Sequence, residues 1–353
     1  MILMIGTSLA TRGGVATVVQ SYIDAGFFKE QDIEYLATHS DGSGLKKLAV
    51  ALVGLFRFWL KLPLKKYNIV HVHSASRASF YRKTIFIISA KLFNKPVVFH
   101  LHGAEFRQFY ERELSSLGRW FARSLLLKCD AIIVLSSQWK QWIENSLGSG
   151  DVHVVHNTLP VGELTRPRQL SEKHNIVFLG RVGERKGVGD LINACELLLQ
   201  KNYFSLSIAG DGDVEKYQSM VEQKGLSAHI RFLGWVDLKT KQRLLDEADI
   251  LTLPSYNEGL PMSVLEALTN GIPVVATPVG GIPDVLEDAE NGFIVDPGDA
   301  EALANSFDKL LSNSDTYRAM SEYALESMRA KFSMAHTKKA LLEIYKFVLD
   351  KEV

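Results

Sequence analysis

Cysteine is nearly absent: Cys129 and Cys195 are the only two in 353 residues. Two thiols cannot build a disulfide framework or a four-cysteine zinc site, and they fit a reducing compartment. Long apolar runs are missing too. The longest uncharged one in a helical pattern, Leu48 to Phe56, is about half of what a membrane-spanning helix needs. No basic segment precedes Met1 to Gly6, so no secretory signal is expected. Common nucleotide fingerprints fail as well. After Gly210-Asp211-Gly212 the third glycine of G-x-G-x-x-G would fall at Glu215, and nothing fits G-x-x-x-x-G-K-[ST]. A dinucleotide dehydrogenase and a P-loop ATPase are therefore disfavoured.

Acid is missing from one place in particular. Forty basic side chains balance forty acidic ones, yet no Asp or Glu occurs between Asp41 and Glu105, 63 residues that hold eleven Lys or Arg. Residues 1–165 carry 19 basic and 12 acidic side chains, and residues 166–353 carry 21 and 28. The halves are electrostatically different, which supports two domains with different partners. Length agrees, since single cores stop growing at roughly 250–300 residues.

What is present is a repeated alternation of short apolar runs and amphipathic stretches. Strands are predicted at 2–6, 33–38, 68–73, 96–101, 131–136 and 152–156. After a Pro/Arg-bearing link at 159–168 the pattern restarts, with strands at 175–180, 204–209, 230–233, 250–254, 273–277 and 292–295. Continuous Val/Ile/Leu runs joined by helices predict buried parallel strands, hence an α/β chain of two Rossmann-like domains facing a central cleft. Within the acid-free interval, apolar residues at 45, 48, 52, 55, 59 and 62 form a helical stripe, with Val50, Val53 and Leu60 off it. Lys46, Lys47, Arg57, Lys61, Lys65 and Lys66 flank it among Phe56, Phe58 and Trp59, and the next helix adds Arg77, Arg82, Lys83 and Lys91. This is the composition of an interfacial anchor, and it predicts salt-sensitive docking of residues 45–95 on an anionic membrane. An ordinary core helix with solvated lysines is the plainer reading.

Ligands of parallel sheets bind beyond the carboxyl ends of the strands. The first domain offers Gly13-Gly14, His71-x-His73, His100-x-His102 and His156-Asn157 there. A strand puts positions i and i+2 on one face, so a His pair can grip an ion. No carboxylates or cysteines accompany the pairs, and the expectation is one packed imidazole and one at the cleft in each. No metal site is predicted. The second domain offers Glu258-Gly-Leu-Pro-Met-Ser-Val-Leu-Glu266. Pro261 suits the first position of a helix, leaving the N–H groups of Met262 and Ser263 for a diphosphate. Glu258 and Glu266 are acceptors suited to sugar hydroxyls, and Arg181 and Lys186 supply the cations a diphosphate beside carboxylates requires. Taken singly, Glu258 reads as a capping acid and Arg181 and Lys186 as a solvated loop.

The order Gly180-Arg181, Glu184-Arg-Lys186-Gly187, Ala209-Gly-Asp-Gly212, Phe232-Leu-Gly-Trp235, Glu258-Gly-Leu-Pro261, Leu265-Glu266-Ala267 and Gly271-Ile-Pro-Val-Val-Ala276 resembles the group 1 (family 4, retaining) glycosyltransferases of GT-B fold. Gly280-Gly281 and Asn291-Gly292-Phe293 continue the match. The resemblance implies an acceptor domain over 1–162, completed by a return helix at 333–353, and a nucleotide-sugar domain over 163–332. It assigns Glu258 to donor-sugar hydroxyls, Glu266 to the ribose, and Arg181 and Lys186 to the departing diphosphate. Gly210, Asp211, Gly212, Trp235 and Val236 would line the nucleobase slot, with Gly259, Leu260, Pro261, Met262 and Ser263 around the donor. Gly13 and Gly14 match the family's glycine loop. His102-Gly-Ala-Glu105 resembles a His-Gly-x-Asp motif with His102 near the reacting end of the sugar; Glu105 stands where Asp is common and is left out of the site. The implied activity is metal-independent transfer from a nucleotide-sugar, UDP-linked first, to a glycan or lipid-linked saccharide in surface polysaccharide assembly. No cofactor and no nucleic-acid partner is expected, and the implied location is the cytoplasmic face of the membrane. A GT-B epimerase or phosphorylase, or an inactive sugar-binding scaffold, are the alternatives.

Overall fold

Strands form at all twelve predicted places, each ending within two residues of the expected bounds. The structure, a computed structural model, describes every residue except 12, 41, 64–66, 149, 160–166, 200–203 and 352–353, together with the side chains of 44–48. The chain divides into two compact units: Met1–Pro160 with Met334–Val353, and Val161–Ser333.

In the first unit the strands are β1 (Ile2–Gly6), β2 (Ile33–Ala37), β3 (Ile69–Ser74), β4 (Val97–Leu101), β5 (Ala131–Val134) and β6 (Val152–Val154). They form one sheet in the order β2-β1-β3-β4-β5-β6, every pairing parallel. Every residue of β1, β3, β4 and β5 is buried, as a sheet covered on both faces requires. The covering helices are α1 (Gly14–Asp24), α2 (Phe27–Glu30), α3 (Gly44–Lys61), α4 (Ala78–Leu92), α5 (Phe106–Gln108), α6 (Ser116–Leu126), α7 (Ser137–Leu147) and α15 (Met334–Asp350).

The second unit holds β7 (Asn175–Leu179), β8 (Ser205–Ala209), β9 (Ile230–Gly234), β10 (Ile250–Leu253), β11 (Val274–Ala276) and β12 (Gly292–Ile294), in the order β12-β11-β10-β7-β8-β9. Its helices are α8 (Val188–Leu198), α9 (Val214–Gln223), α10 (Leu238–Glu247), α11 (Met262–Thr269), α12 (Ile282–Val285), α13 (Ala300–Ser312) and α14 (Ser314–Lys331). Strand order reverses between β1 and β3 in one unit and between β7 and β10 in the other. Helices leave opposite faces at such a switch point, so a crevice opens above it where ligands bind.

Packing decides which side of the two-faced helix α3 is buried. Among the described side chains the buried line runs through Gly54 and Phe58 of α3 to Leu62 just beyond it; within the apolar stripe Leu62 is buried and Leu55 half-buried, while Leu52 and Trp59 are exposed. Gly54 decides this: a Cβ there would lie 3.0 Å from the carbonyl oxygen of Ala37, so the helix backbone rests on the end of β2. Phe58 then stacks edge-on to Phe86 of α4 in the core. Leu52, Val53, Phe56, Trp59 and Leu60 stay exposed, Phe56 by 62%. Trp59 donates from Nε1 to Ser89 Oγ (3.0 Å), joining this face to α4, where Tyr81, Ile85, Ile88 and Leu92 are exposed too.

Much of the basic charge is also spoken for. Lys61 pairs with Glu34, Arg77 with Glu105 and Glu113, and Lys91 with Asp130. Acid is absent from this interval along the chain but arrives from other elements in space. Lys83 is buried, donating to Gly6 O (3.2 Å) and to Thr38 Oγ1, and burial, helped by the Arg82 charge, pushes its amine down to about 7. Lys65 and Lys66 lie outside the described residues, as do the side chains of Lys46 and Lys47.

Candidate functional site

The second unit gathers its motif residues at the β7/β10 switch point. After β7 the chain runs through Arg181 into a tight turn at Glu184–Lys186, closed by Gly187. Gly187 has φ +68°, and a Cβ there would meet the Pro254 carbonyl oxygen at 1.9 Å. Only glycine lets the β7 loop lie this close to the β10 loop. Cross-bonds lace the two together: Tyr256 N donates to Arg185 O (2.8 Å), and the Arg185 guanidinium to Asn257 O (2.9 Å). Lys186 Nζ then reaches Glu258 Oε1 at 2.5 Å, and Ser255 Oγ donates to the same oxygen at 2.7 Å. Glu258 is buried, held in a loop that Gly280 (φ +62°) presses on, where a Cβ would lie 2.1 Å from Glu258 O. Arg181 is exposed and makes no ion pair among the described residues.

The β8 loop joins the same end. A Cβ on Gly210 would lie 1.8 Å from Gly180 O, and one on Gly212 2.1 Å from Val182 O, so Gly210-Asp211-Gly212 lies against Gly180-Arg181-Val182. Gly210 N donates to Gly234 O (2.8 Å), which brings in half-exposed Trp235 and its neighbour Val236. Gly259 and Leu260 lead into α11, where one expectation is corrected. Pro261, with ψ 127°, is the cap residue outside the helix and Met262 its first residue. The N–H groups of Met262, Ser263 and Val264 remain unused by the helix and lie at the positive end of its dipole. Within α11, Glu266 accepts from Lys241 Nζ of α10 at 2.5 Å.

In the first unit, Gly13 (φ +142°) caps α1 and Gly14 begins it; among the described residues a Cβ on either would meet nothing within 4 Å. Open space in front of a backbone loop after β1 suits the approach of a ligand. One pair of histidines departs from expectation. His71, His73 and His100 are all buried and His102 is partly so; the β3 pair thus packs both imidazoles. Positions i and i+2 share one face of a strand, and on β3 that face is covered. The four rings stack, with centroids 4.1 Å apart for His100/His102 and 4.5 Å for His71/His73. His71 Nδ1 meets Tyr345 OH of α15 at 2.7 Å, His71 Nε2 meets His100 Nδ1 at 3.2 Å, and His73 Nδ1 meets His102 Nε2 at 2.8 Å. Burial drives His71 and His102 down to about 3, so both are neutral at physiological pH. His71, His73 and His100 offer ligand atoms within 4.8 Å of one another, the spacing of a metal cluster. Two of these nitrogens, His71 Nε2 and His100 Nδ1, already meet each other at 3.2 Å, and His71 Nδ1 is taken by Tyr345. Glu105 is held by Arg77.

Three partners escaped the reading of the sequence: Ser255 on Glu258, Lys241 on Glu266 and His73 on His102. Ser255 sits three residues from its partner and was within reach of a loop-level reading. Lys241, on a different helix from Glu266, carries no local signal.

Two Rossmann-like units in tandem, one presenting cations, carboxylates and an open helix N-terminus at its switch point, define a GT-B transferase. Family models tile the chain: Glycosyltransferase Family 4 matches residues 2–161, and Glycosyl transferases group 1 matches residues 163–327. The chain belongs to the group 1 glycosyltransferases. It is 25% identical over 308 residues to an uncharacterised glycosyltransferase of Methanocaldococcus jannaschii, covering 82% of this chain and 77% of that one. It is 35% identical over 143 residues to the amylovoran biosynthesis glycosyltransferase AmsK of Erwinia amylovora, 38% of this chain and 35% of that one. Anabaena HepE, solved in complex with UDP-glucose, superposes with a TM-score of 0.76 at 18% identity, covering 98% of this chain and 99% of that one.

Proposed function

We propose that this glycosyltransferase moves a sugar from a nucleotide-sugar, UDP-linked, to a glycan or lipid-linked saccharide in surface polysaccharide assembly, with retention of configuration. The observation that carries the reading is the meeting of Arg181, Lys186, Glu258 and the N-terminus of α11 at the β7/β10 switch point. Amylovoran synthesis by AmsK supports the product class, and UDP-glucose bound to HepE supports the donor. Unit 2 takes the donor, with Glu266 on the ribose and Glu258 on sugar hydroxyls. Unit 1 takes the acceptor, with His102 and the Gly13-Gly14 loop serving the donor sugar. As the bond from the anomeric carbon to the phosphate oxygen breaks, negative charge grows on the diphosphate. Arg181, Lys186 and the helix N–H groups are fixed donors that stabilise it. The acceptor hydroxyl attacks from the face being vacated and passes its proton to the departing phosphate. Two cations fill the place of a metal, so neither metal nor cofactor is needed.

NMR of the product tests this: an α-linked donor should give an α-linked product, and EDTA should leave the rate largely intact. An inverted anomer, or complete loss restored by a divalent ion, overturns the mechanism.

No helix among the described residues is long and apolar enough to cross a membrane. Peripheral docking at the cytoplasmic face of an anionic membrane completes the proposal, supported by the exposed apolar faces of α3 and α4 more than by net charge. Replacing Phe56, Trp59 and Leu60 together by serine should lower recovery with anionic vesicles about tenfold or more, at roughly 0.8 kcal/mol per lost methylene-equivalent of buried surface. Recovery equal to wild type sinks the docking surface and leaves the transferase reading intact.

A further inference from the structure

We propose that His73 is a positioning residue that holds His102 as its Nδ1–H tautomer, so that His102 offers a neutral N–H donor to a hydroxyl or phosphate oxygen of the substrate. The use of that donor rests on the reading of His102 as a group at the donor sugar; the tautomer itself does not.

The two histidines come from neighbouring strands. β3 and β4 pair with His73 opposite His100, and His102 N continues the ladder by donating to Ser74 O at 2.8 Å. That register brings His73 Nδ1 to 2.8 Å from His102 Nε2. A neutral imidazole has one N–H and one lone pair, so one ring must donate and the other accept. If His102 donated from Nε2, the His73 proton would sit on its own Nε2. That atom is buried and has no hydrogen-bond partner among the described residues. An orphaned N–H inside a protein is rarer than an orphaned acceptor, because a lone pair tolerates desolvation better. The other arrangement leaves only a bare lone pair at His73 Nε2. His73 then donates from Nδ1, His102 accepts at Nε2, and the His102 proton is fixed on Nδ1. His102 Nδ1 makes no hydrogen bond among the described residues, and the residue is only partly buried.

Neutrality supports the assignment, since burial pushes His73 well below its ordinary range and His102 down to about 3. A charged His102 would donate from both nitrogens and clash with a donating His73. The stack is braced from behind: His71 lies against His73, with ring centroids 4.5 Å apart, and is tied to Tyr345. Rotation of His73 to exchange its nitrogens would break this packing. The device therefore sets the hydrogen-bonding sense of a site residue without touching substrate.

Nitrogen NMR of the full chain labelled with 15N-histidine tests the tautomer directly, with His102 assigned by its loss in His102→Gln. The expected spectrum shows a protonated Nδ1 and an unprotonated Nε2 on His102 in wild type. A proton on Nε2, or a mixture of tautomers, overturns the proposal. Two variants test its use. His73→Asn keeps an amide N–H where Nδ1 stands, and should hold the tautomer and keep kcat within about threefold. His73→Leu removes the donor and should lower kcat about tenfold, the scale of one hydrogen bond, with the donor KM changing much less. A fall of equal size in both variants indicates packing alone and overturns the positioning role; if His73→Leu does not fold, the wild-type spectrum and His73→Asn decide. Wild-type turnover in His102→Gln, with the expected tautomer in wild type, would locate the failure in the reading of His102 at the sugar.

Discussion

Arg181→Ala is expected to lower kcat by about 10²-fold or more, and Lys186→Ala by at least as much, because each removes a charge that grows in value as the diphosphate departs. The two variants differ in what else they disturb. Arg181 is exposed and unpaired among the described residues, so its loss touches little in the resting protein. Lys186 is bonded to buried Glu258, and its removal takes the cation away from a buried carboxylate that Ser255 also holds. Unfolding by heat separates the effects: Arg181→Ala should melt with wild type, whereas Lys186→Ala should melt lower. Glu266→Ala makes the contrast, raising donor KM while kcat holds, because ribose contacts change little along the reaction. Steady-state kinetics with a UDP-sugar decide the matter, and wild-type turnover in Arg181→Ala or Lys186→Ala would remove that residue from the site.

Gly187→Ala should destabilise the second unit by roughly 2–5 kcal/mol, combining a left-handed backbone penalty of about 1–2 kcal/mol with overpacking of about 1–3 kcal/mol. The added methyl would lie 1.9 Å from Pro254 O, so the β7 and β10 loops must part. Separation of these loops carries Lys186 away from Glu258. Activity should therefore collapse even at temperatures where the chain stays folded. Denaturant unfolding alongside donor binding checks both halves; wild-type stability would mean that the loops do not pack at this distance.

The strands were legible because parallel strands buried on both faces demand unbroken Val/Ile/Leu, and little else in the sequence looks like that. The site loops were legible for a different reason: Arg181 with Lys186, and Glu258 with Glu266, are each local groups whose spacing survives in one dimension. Tertiary pairing was not. Glu34, Glu105, Glu113 and Asp130 lie outside the acid-free interval, and yet neutralise Lys61, Arg77 and Lys91. Which side of α3 packs was not legible, because the helix is apolar on two sides and periodicity alone cannot choose between them. Gly54, a residue with no side chain to score, made the choice. Both histidine pairs were seen, but the coupling of His73 to His102 depends on strand register, which no local pattern states.

The ribosome imposes an order on this architecture. The first unit is completed by α15, which buries Thr337, Leu341, Ile344, Tyr345 and Val348 and is synthesised after all of the second unit. Chains grow at roughly 5–20 residues per second and usually fold domain by domain from the amino terminus. Here the amino-terminal sheet must wait, part of its apolar surface bare, through the synthesis of the 173 residues of Val161–Ser333, a matter of roughly 10–35 seconds. The second unit is contiguous and can close first. Until α15 emerges, His71 lacks the Tyr345 hydroxyl that it meets in the finished fold.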